Sequence, residues 1–314
     1  MKLSLVVPCF NEEENVGPFF EACKKALNEI ESYEVIFIND GSRDSTWKEL
    51  KRLSELEGRI KLINFSRNFG KEAAMYAGLK KAIGDYVTII DADLQQRPEL
   101  VVTMVRFLDE NPDFDCVAAF QEERKEGKLL SFFKKMFYRF INTVCEIDFQ
   151  SGASDFRTFR HNMVESILEI KEYFRFSKGI FSWVGYNTYY MPYVVEERNA
   201  GQTSWSFTKL MKYAIEGIVA FTTFPLNIAT YIGSCFSVLS LIYMIVVIAQ
   251  KLIFDIDIPG YPTLVVLILL IGGIQMLMLG IIGRYIAKMY IEGKKRPIYI
   301  IKEYIGDEND KNIG

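Results

Sequence analysis

Asp91 and Asp93 stand two residues apart, with Gln95 two further on, and they follow directly on the apolar run Tyr86-Val-Thr-Ile-Ile90. Two carboxylates and an amide carbonyl offer hard oxygen ligands. Such a set suits Mg²⁺ or Mn²⁺, and the cation in turn suits a diphosphate. An Asp-x-Asp pair alone says little, because many surface turns contain one. The strand before it gives the pair its weight. The run is too apolar for a half-exposed strand and reads as a buried one. Open α/β sheets bind ligands outside the C-terminal ends of their strands, which is where this pair falls.

The elements before it repeat the same plan. Leu3 to Val7 reads as a first strand stopping at Pro8, after which Asn11-Glu-Glu-Glu-Asn15 opens a helix to about Ile30. Asn11 or Asn15 can cap that helix, and acidic residues suit its positive end. Tyr33 to Ile38 is a second strand, stopping at Asn39-Asp40-Gly41-Ser42, and Asp44 or Ser45 caps a helix from Thr46 to about Leu56. Ile60 to Phe65 is a third strand, followed by Ser66-Arg67-Asn68-Phe69-Gly70 and a helix from Lys71 to Ala82. Strand and helix alternate up to the Tyr86 run, the pattern of a parallel sheet with crossover helices. Each strand ends in a polar turn, and these turns would share one edge. One such turn is ordinary loop chemistry; four in register point to a ligand.

Composition removes several alternatives. The 314 residues carry a formal net charge of -3, so no basic field argues for nucleic acid. The five cysteines (Cys9, Cys23, Cys116, Cys145, Cys235) are scattered without a CxxC pair, against a zinc ribbon or a disulfide framework. His161 is the only histidine and reads as a surface residue, so a His-based metal cage is impossible and a general base is expected to be a carboxylate. No GxGxxG follows the first strand and no GxxxxGK[ST] occurs, against a dinucleotide enzyme and a P-loop NTPase.

The C-terminal third has a different solvent. Gly217 to Gln250 and Ile258 to Gly283 contain no charged residue. Each run exceeds the ~20 residues that span a bilayer as a helix. Lys209 and Lys212 precede the first span; Arg284, Lys288, Lys294, Lys295 and Arg296 follow the second. The positive flanks place both termini in the cytoplasm and the short connecting loop outside. No signal peptide is visible, so the first half is expected in the cytoplasm. Lys128 to Val144 alternates basic and apolar residues and reads as an amphipathic helix for the membrane surface. The polar tail after Lys302 is expected to be loose.

Together these residues resemble the family 2 glycosyltransferases with a GT-A fold, and within them the polyprenyl-phosphate glycosyltransferases, the group of dolichol-phosphate mannose synthases and bactoprenol glucosyltransferases. The motifs are Val7-Pro-Cys-Phe-Asn-Glu-Glu-Glu-Asn15, Asn39-Asp-Gly-Ser-Arg-Asp-Ser-Thr46, Ser66-Arg-Asn-Phe-Gly-Lys-Glu-Ala73, Asp91-Ala-Asp-Leu-Gln95 and Arg198-Asn-Ala-Gly-Gln-Thr-Ser-Trp205. The resemblance implies a Rossmann-like, mainly parallel α/β domain over 1–205 with the amphipathic helix near 128–144. A juxtamembrane helix over 206–224, two transmembrane helices over 225–288 and a cytoplasmic tail over 289–314 complete the expected chain, a multi-pass protein of the inner or plasma membrane.

The resemblance also implies roles. Asp91 and Asp93 would hold Mg²⁺ or Mn²⁺ on the sugar-nucleotide diphosphate, with Gln95 assisting. Pro8, Asn11, Glu12 and Asp40 would line the nucleoside pocket, Asp40 meeting the base. Ser66, Arg67 and Lys71 would sit near the nucleotide or the metal loop. Asp155 falls where a base near the acceptor is expected. Arg198 and Trp205 would close over the donor or acceptor phosphates. Relatives carry a further Arg around Gln121, which leaves Arg124 as the phosphate candidate there.

The reaction implied is inverting transfer from a UDP-sugar to polyprenyl (undecaprenyl) phosphate, with glucose first and N-acetylglucosamine second because the Ser66–Ala73 motif resembles the bactoprenol glucosyltransferase branch, and with mannose and aminoarabinose donors also open. The enzyme is expected as a homo-oligomer, a tetramer being one arrangement. A processive polysaccharide synthase is disfavoured by the missing QxxRW motif and the two spans. A non-catalytic membrane scaffold is disfavoured by intact Asp91, Asp93 and Arg198.

Overall fold

The computed structural model describes residues 2–121, 143, 153–193, 222–254 and 260–306. The expected amphipathic helix at 128–144, residues 206–221 of the juxtamembrane helix and the end of the tail at 307–314 lie outside the described residues, Thr143 excepted.

Three strands, β1 (Leu3–Cys9), β2 (Tyr33–Asn39) and β3 (Ile60–Phe65), are almost wholly buried along their length. Both faces of the sheet are covered, which is why they read as continuous apolar runs. β4 (Tyr86–Ile89) joins β1 on its other side, so that Leu3 pairs with Tyr33 and with Tyr86 in parallel ladders. β2 pairs in parallel with β3.

Four further strands extend this centre: β5 (Cys116–Gln121), β6 (Ala153–Arg160), β7 (Thr188–Tyr193) and β8 (Ile301–Ile305). The order is β7-β5-β6-β4-β1-β2-β3-β8. β6 runs antiparallel to β4 and β5, β7 runs parallel to β5, and β8 runs antiparallel to β3. The sheet is therefore mixed around a parallel centre, a Rossmann-like α/β/α domain.

Helices cover both faces. On one side α1 (Val16–Ala26), α2 (Thr46–Leu56) and α4 (Glu99–Glu110) bury Phe19, Leu50 and Met104 against Leu3, Leu5 and Val7. On the other, α3 (Lys71–Lys81), α5 (His161–Glu169) and α6 (Ser177–Trp183) bury Ala74, Met163 and Phe181 with Val6 and Ile38. Gly78 lets α3 approach closely: a Cβ there would lie 2.3 Å from Val6 Cγ1.

Three local expectations need correction. β1 continues through Pro8 to Cys9. The Val6 carbonyl accepts from the Ile90 N–H and the Cys9 carbonyl from the Asp40 N–H. By alternation Pro8 faces the β4 side, where that ladder has ended, so its missing N–H is not needed. The first helix begins at Val16 instead of within Asn11–Asn15 and gives way to a 3₁₀ turn at Leu27–Glu29. Asn11 takes φ 57, a left-handed conformation, and Asn15 makes no side-chain cap bond. The tail is also not loose from Lys302 onward: Ile301–Ile305 forms β8, giving partners to the open edge of β3.

Two long helices, α7 (Phe224–Phe254) and α8 (Tyr261–Gly293), follow the domain. The 31 residues of α7 reach about 46 Å at 1.5 Å per residue, more than a bilayer's hydrocarbon core. Their apolar side chains are exposed, Leu269 and Met276 each by 69%. A pair of soluble core helices would be buried; these stand ready for lipid. They anchor the chain in the membrane, and the basic residues after the second span put the α/β domain on the cytoplasmic side.

Candidate active site

The polar turns at the C-terminal ends of β1 to β4 are stitched to one another. The Asn11 N–H donates to Ser42 Oγ at 3.0 Å, and the Arg43 N–H donates to Asn11 Oδ1 at 2.9 Å. The Glu12 N–H donates to Thr46 Oγ1 at 2.8 Å, while Glu12 Oε2 accepts from Asn15 Nδ2 at 2.6 Å. The Ser45 N–H donates to Glu13 Oε2 at 2.7 Å. Asp44 serves the start of α2, its Oδ1 accepting from the Thr46 N–H at 3.1 Å. The acidic run after β1 thus braces the neighbouring loop instead of opening a helix.

Asp40 is buried at the end of β2. It makes no local turn bond. Its carboxylate accepts from the Phe69 N–H at 2.6 Å and the Gly70 N–H at 2.9 Å, across to the loop after β3. Burial pushes its pKa up, opposed by those two N–H donors and by Arg67. Gly41 beside it has φ +64, and a Cβ there would lie 2.4 Å from the Arg67 carbonyl carbon. Arg67 itself stacks its guanidinium 4.0 Å over the Phe69 ring and donates to the Asn68 carbonyl. Ser66 is exposed, and its N–H donates to the Ile300 carbonyl at 3.0 Å.

The charged centre lies at the end of β4. Lys71 Nζ, at the first turn of α3, is 2.7 Å from Asp91 Oδ1 and 3.2 Å from Asp155 Oδ2. Because β6 runs antiparallel to β4, its beginning lies beside the end of β4, which brings Asp155 to Asp91 from far along the chain. Burial alone would lower the Lys71 pKa, but Asp91 and Asp155 outweigh it and hold the value above the ordinary lysine range. Burial raises Asp155, and Lys71, Lys178 and Arg157 overcome it, leaving the carboxyl below its usual value.

Asp91 is held on its other side by Gln96, which sequence reading passed over for Gln95. Gln96 Oε1 accepts from the Asp91 N–H at 3.0 Å and its Nε2 donates to Asp91 Oδ2 at 3.3 Å. The Gln95 N–H donates to Asp93 Oδ1 at 3.1 Å. Between them Leu94 takes φ 59, a left-handed conformation that costs a leucine roughly 1–2 kcal/mol.

Asp91 and Asp93 put two carboxylates on one turn, hard oxygen ligands that fit a divalent cation. Lys71, now paired with Asp91, would have to share or yield that carboxylate when a cation binds. Among the described residues no three His, Cys, Asp or Glu side chains form a closed metal cage. Two carboxylates suit a cation that takes its other ligands from a diphosphate and water.

Two more residues lie by the site: Tyr193, which carries no sequence signal, and Glu72, which falls within the Ser66–Ala73 motif but has no role implied there. Burial raises the Tyr193 pKa, with Asp91 and Asp93 adding to it, which places its hydroxyl within the field of the pair. Glu72, next to Lys71, has a carboxyl pushed up to about 7, chiefly by burial; it accepts from the Ser177 N–H at 3.0 Å and from the Ser177 hydroxyl. Cys9 is no nucleophile, since burial and nearby carboxylates push its thiol well up. Pro8, Asn11, Glu12, Asp40, Ser66, Arg67, Lys71, Asp91, Asp93, Gln95 and Asp155 all come to this edge of the sheet or the loops above it. Arg124, Arg198 and Trp205 lie outside the described residues.

A sequence model described as glycosyl transferase family 2 matches residues 4–168, which cover β1 to β6 and this whole edge. The chain belongs to that family. It is 41% identical over 304 residues to a prophage bactoprenol glucosyl transferase homolog of Escherichia coli (strain K12), covering 96% of this chain and 99% of the relative. It is 40% identical to a bactoprenol glucosyl transferase of Shigella phage SfV, covering 96% and 98%. Among solved structures, mannosyl-3-phosphoglycerate synthase from Rubrobacter xylanophilus aligns with a TM-score of 0.47 at 18% identity, covering 70% of this chain and 73% of that one. As a family 2 glycosyltransferase the chain is an enzyme, and the relatives' coverage includes the two membrane helices.

Proposed function

We propose that this glycosyltransferase moves a glucosyl unit from UDP-glucose to a polyprenyl phosphate at the cytoplasmic membrane face, with inversion. The observation that carries the reading is the union in one chain of the Asp91–Lys71–Asp155 centre with a lipid-exposed helix pair. The names of the 41% and 40% identical relatives support the same donor sugar and acceptor class.

An acceptor phosphate oxygen attacks the anomeric carbon from the face opposite the diphosphate. The new C–O bond forms as the old one breaks, and UDP leaves with the electron pair. The attacking oxygen is already anionic near neutral pH, so little proton removal is required. Asp155, held ionised by Lys71, orients the acceptor and the sugar instead of abstracting a proton. Asp40 and the Asn11–Glu12 turn would seat the nucleoside, with Pro8, Ser66 and Arg67 bordering it. Asp91 and Asp93, with Gln95, would hold Mg²⁺ or Mn²⁺. That ion, when bound, supplies positive charge to the diphosphate leaving group. Arg124, Arg198 and Trp205 are the proposed further grips on the phosphates.

The test is direct. Purified full-length protein is incubated with undecaprenyl phosphate, Mg²⁺ or Mn²⁺ and a panel containing UDP-glucose, UDP-N-acetylglucosamine and GDP-mannose, and the lipid fraction is read by mass spectrometry. Undecaprenyl phosphate carrying one hexose from UDP-glucose is the expected product. UDP binding without a glycolipid from any donor would reject the acceptor.

A further inference from the structure

Lys71 and Asp155 also border a cavity of about 510 Å³ that extends away from Asp91 and Asp93. The start of α3 forms one wall, Tyr173 to Lys178 another, and Ile298, just past the second membrane helix, a third. We infer that this cavity seats the phosphate end of the lipid acceptor, with Lys178 as its phosphate-binding cation. The inference rests on the lipid-phosphate reading above and assigns a residue to it.

Three cationic side chains line the space, and two are engaged. Lys71 is held between Asp91 and Asp155. Arg175 donates to the Ile170 and Ile167 carbonyls and lies 4.3 Å over the Tyr76 ring. Lys178 is half-buried; among the described residues no carboxylate stands in ion-pair contact with it, and Asp155 feels only its field. Its ammonium offers three donors on a flexible stem, which suits a phosphate monoester. Its position is fixed from below, because the preceding Ser177 is tied to Glu72, the neighbour of Lys71 on α3.

The remaining walls suit a lipid. Tyr173 and Phe174 meet edge to face with ring centres 5.4 Å apart, and Phe174 is 37% exposed. The Tyr173 N–H donates to Glu292 on α8, and Lys288 of the same helix lies 5.7 Å from the Phe174 ring. The second membrane helix thus ends against the apolar wall of the cavity. A chain lying along that helix meets Tyr173, Phe174 and Ile298, and its phosphate then reaches Lys178 beside Asp155.

The test uses full-length protein in detergent, with dodecyl phosphate as the binding probe in calorimetry and undecaprenyl phosphate as the kinetic acceptor. Lys178→Ala is expected to weaken dodecyl phosphate binding and raise the acceptor KM by roughly tenfold to a hundredfold, the loss of one charge-assisted contact. UDP affinity and the donor KM should hold, which also shows the variant is folded. Lys178→Arg should recover most of the binding. Unchanged dodecyl phosphate affinity in Lys178→Ala would overturn the inference, as would an unchanged acceptor KM with active wild-type enzyme. If wild-type protein makes no glycolipid yet binds dodecyl phosphate in a Lys178-dependent way, the subsite stands and the proposed reaction falls.

Discussion

Lys71 Nζ lies 2.7 Å from Oδ1 and 2.9 Å from Oδ2 of Asp91, so the first residue of one helix neutralises the carboxylate at the end of the neighbouring strand. The contact is made possible by the short loop from β3 to α3, and Asp40 fixes that loop by accepting from its Phe69 and Gly70 N–H groups. The end of β2, the loop after β3 and the charged centre are therefore one mechanical unit.

Removing the ammonium exposes that coupling. In Lys71→Met, Asp91 and Asp155 face each other without their shared cation. Asp155 has a folded pKa below its unfolded value, so the stability it contributes is present above about pH 3.9 and lost as pH falls through the depressed value. Without Lys71 the depression shrinks and the acid-unfolding limb should move to higher pH. Thermal melts between pH 3 and 6 would show it; an unmoved limb would mean Lys178 and Arg157 hold Asp155 alone.

Glu72 titrates in the opposite sense. Its carboxyl is pushed from 4.5 up to about 7, chiefly by burial. The folded state holds the extra proton across that interval, so stability declines as pH rises from about 4.5 to about 7 and then levels. Glu72→Gln keeps an acceptor for the Ser177 N–H and removes the titration. The variant should show a flatter melting profile over this window and a higher midpoint than wild type at pH 8.

Asp93 is predicted to matter for transfer far more than for folding. It is partly exposed, and its Oδ1 accepts from the Gln95 N–H two residues on. Asp93→Ala should lower transfer by roughly a hundredfold or more, the scale of losing a principal charge-stabilising group, with a melting midpoint within a few degrees of wild type. Metal-dependent transfer at the wild-type rate would show that the cation is held elsewhere.

Much of this was legible because the central strands are buried on both faces. β3 was read to the residue and β2 and β4 to within one, since continuous apolar runs bounded by polar turns admit few other readings. Asp40, Lys71, Asp91 and Asp155 were named from motifs, yet motifs could not say that Lys71 joins Asp91 to Asp155. That contact depends on β6 running antiparallel, and β6 is mostly polar (Ser154, Asp155, Arg157, Thr158, Arg160), with no apolar run to mark it as a strand. Gln96 was hidden beside Gln95 because only the turn at Leu94, with its φ of 59, decides which amide faces Asp91. Lys178 and Tyr193 carry no local pattern; tertiary packing alone brings them in. Pro8 misled because its missing N–H falls on the side where no ladder needs it.

Gly41 should tolerate no side chain. Its φ of +64 disfavours an L residue, and an added Cβ would meet Arg67 and Asn68 backbone atoms at 2.4 and 2.5 Å. The clash cannot be relieved by a rotamer, since both neighbours are main chain. Gly41→Ala is expected to cost roughly 1–3 kcal/mol and to push the Ser66–Gly70 loop away from Asp40. Calorimetric UDP affinity should fall along with the melting midpoint; an intact affinity would separate the loop from the nucleotide pocket.

The last prediction concerns the return of the chain from the membrane. After α8 the backbone runs back to the domain, stacks Tyr299 on Phe65 at 5.1 Å and adds β8 to the edge of β3. Lys51 pairs with Glu303 across the same edge at 2.6 Å. This exposed ion pair contributes little by itself; the ladder hydrogen bonds and half-buried Tyr304 and Ile305 contribute more. A chain ending at Ile300 keeps the Tyr299 stack and Ile298 but leaves the edge of β3 unpaired. It should melt several degrees lower (roughly 1–2 kcal/mol for a few lost ladder bonds) and self-associate more readily through the bare edge. Its donor KM should hold, because no residue proposed to bind the donor lies in the deleted segment. A truncated protein that melts and migrates like the full chain would show that β8 adds nothing to the ties already made by the Tyr299 stack, the Ser66–Ile300 bond and the Tyr173–Glu292 bond.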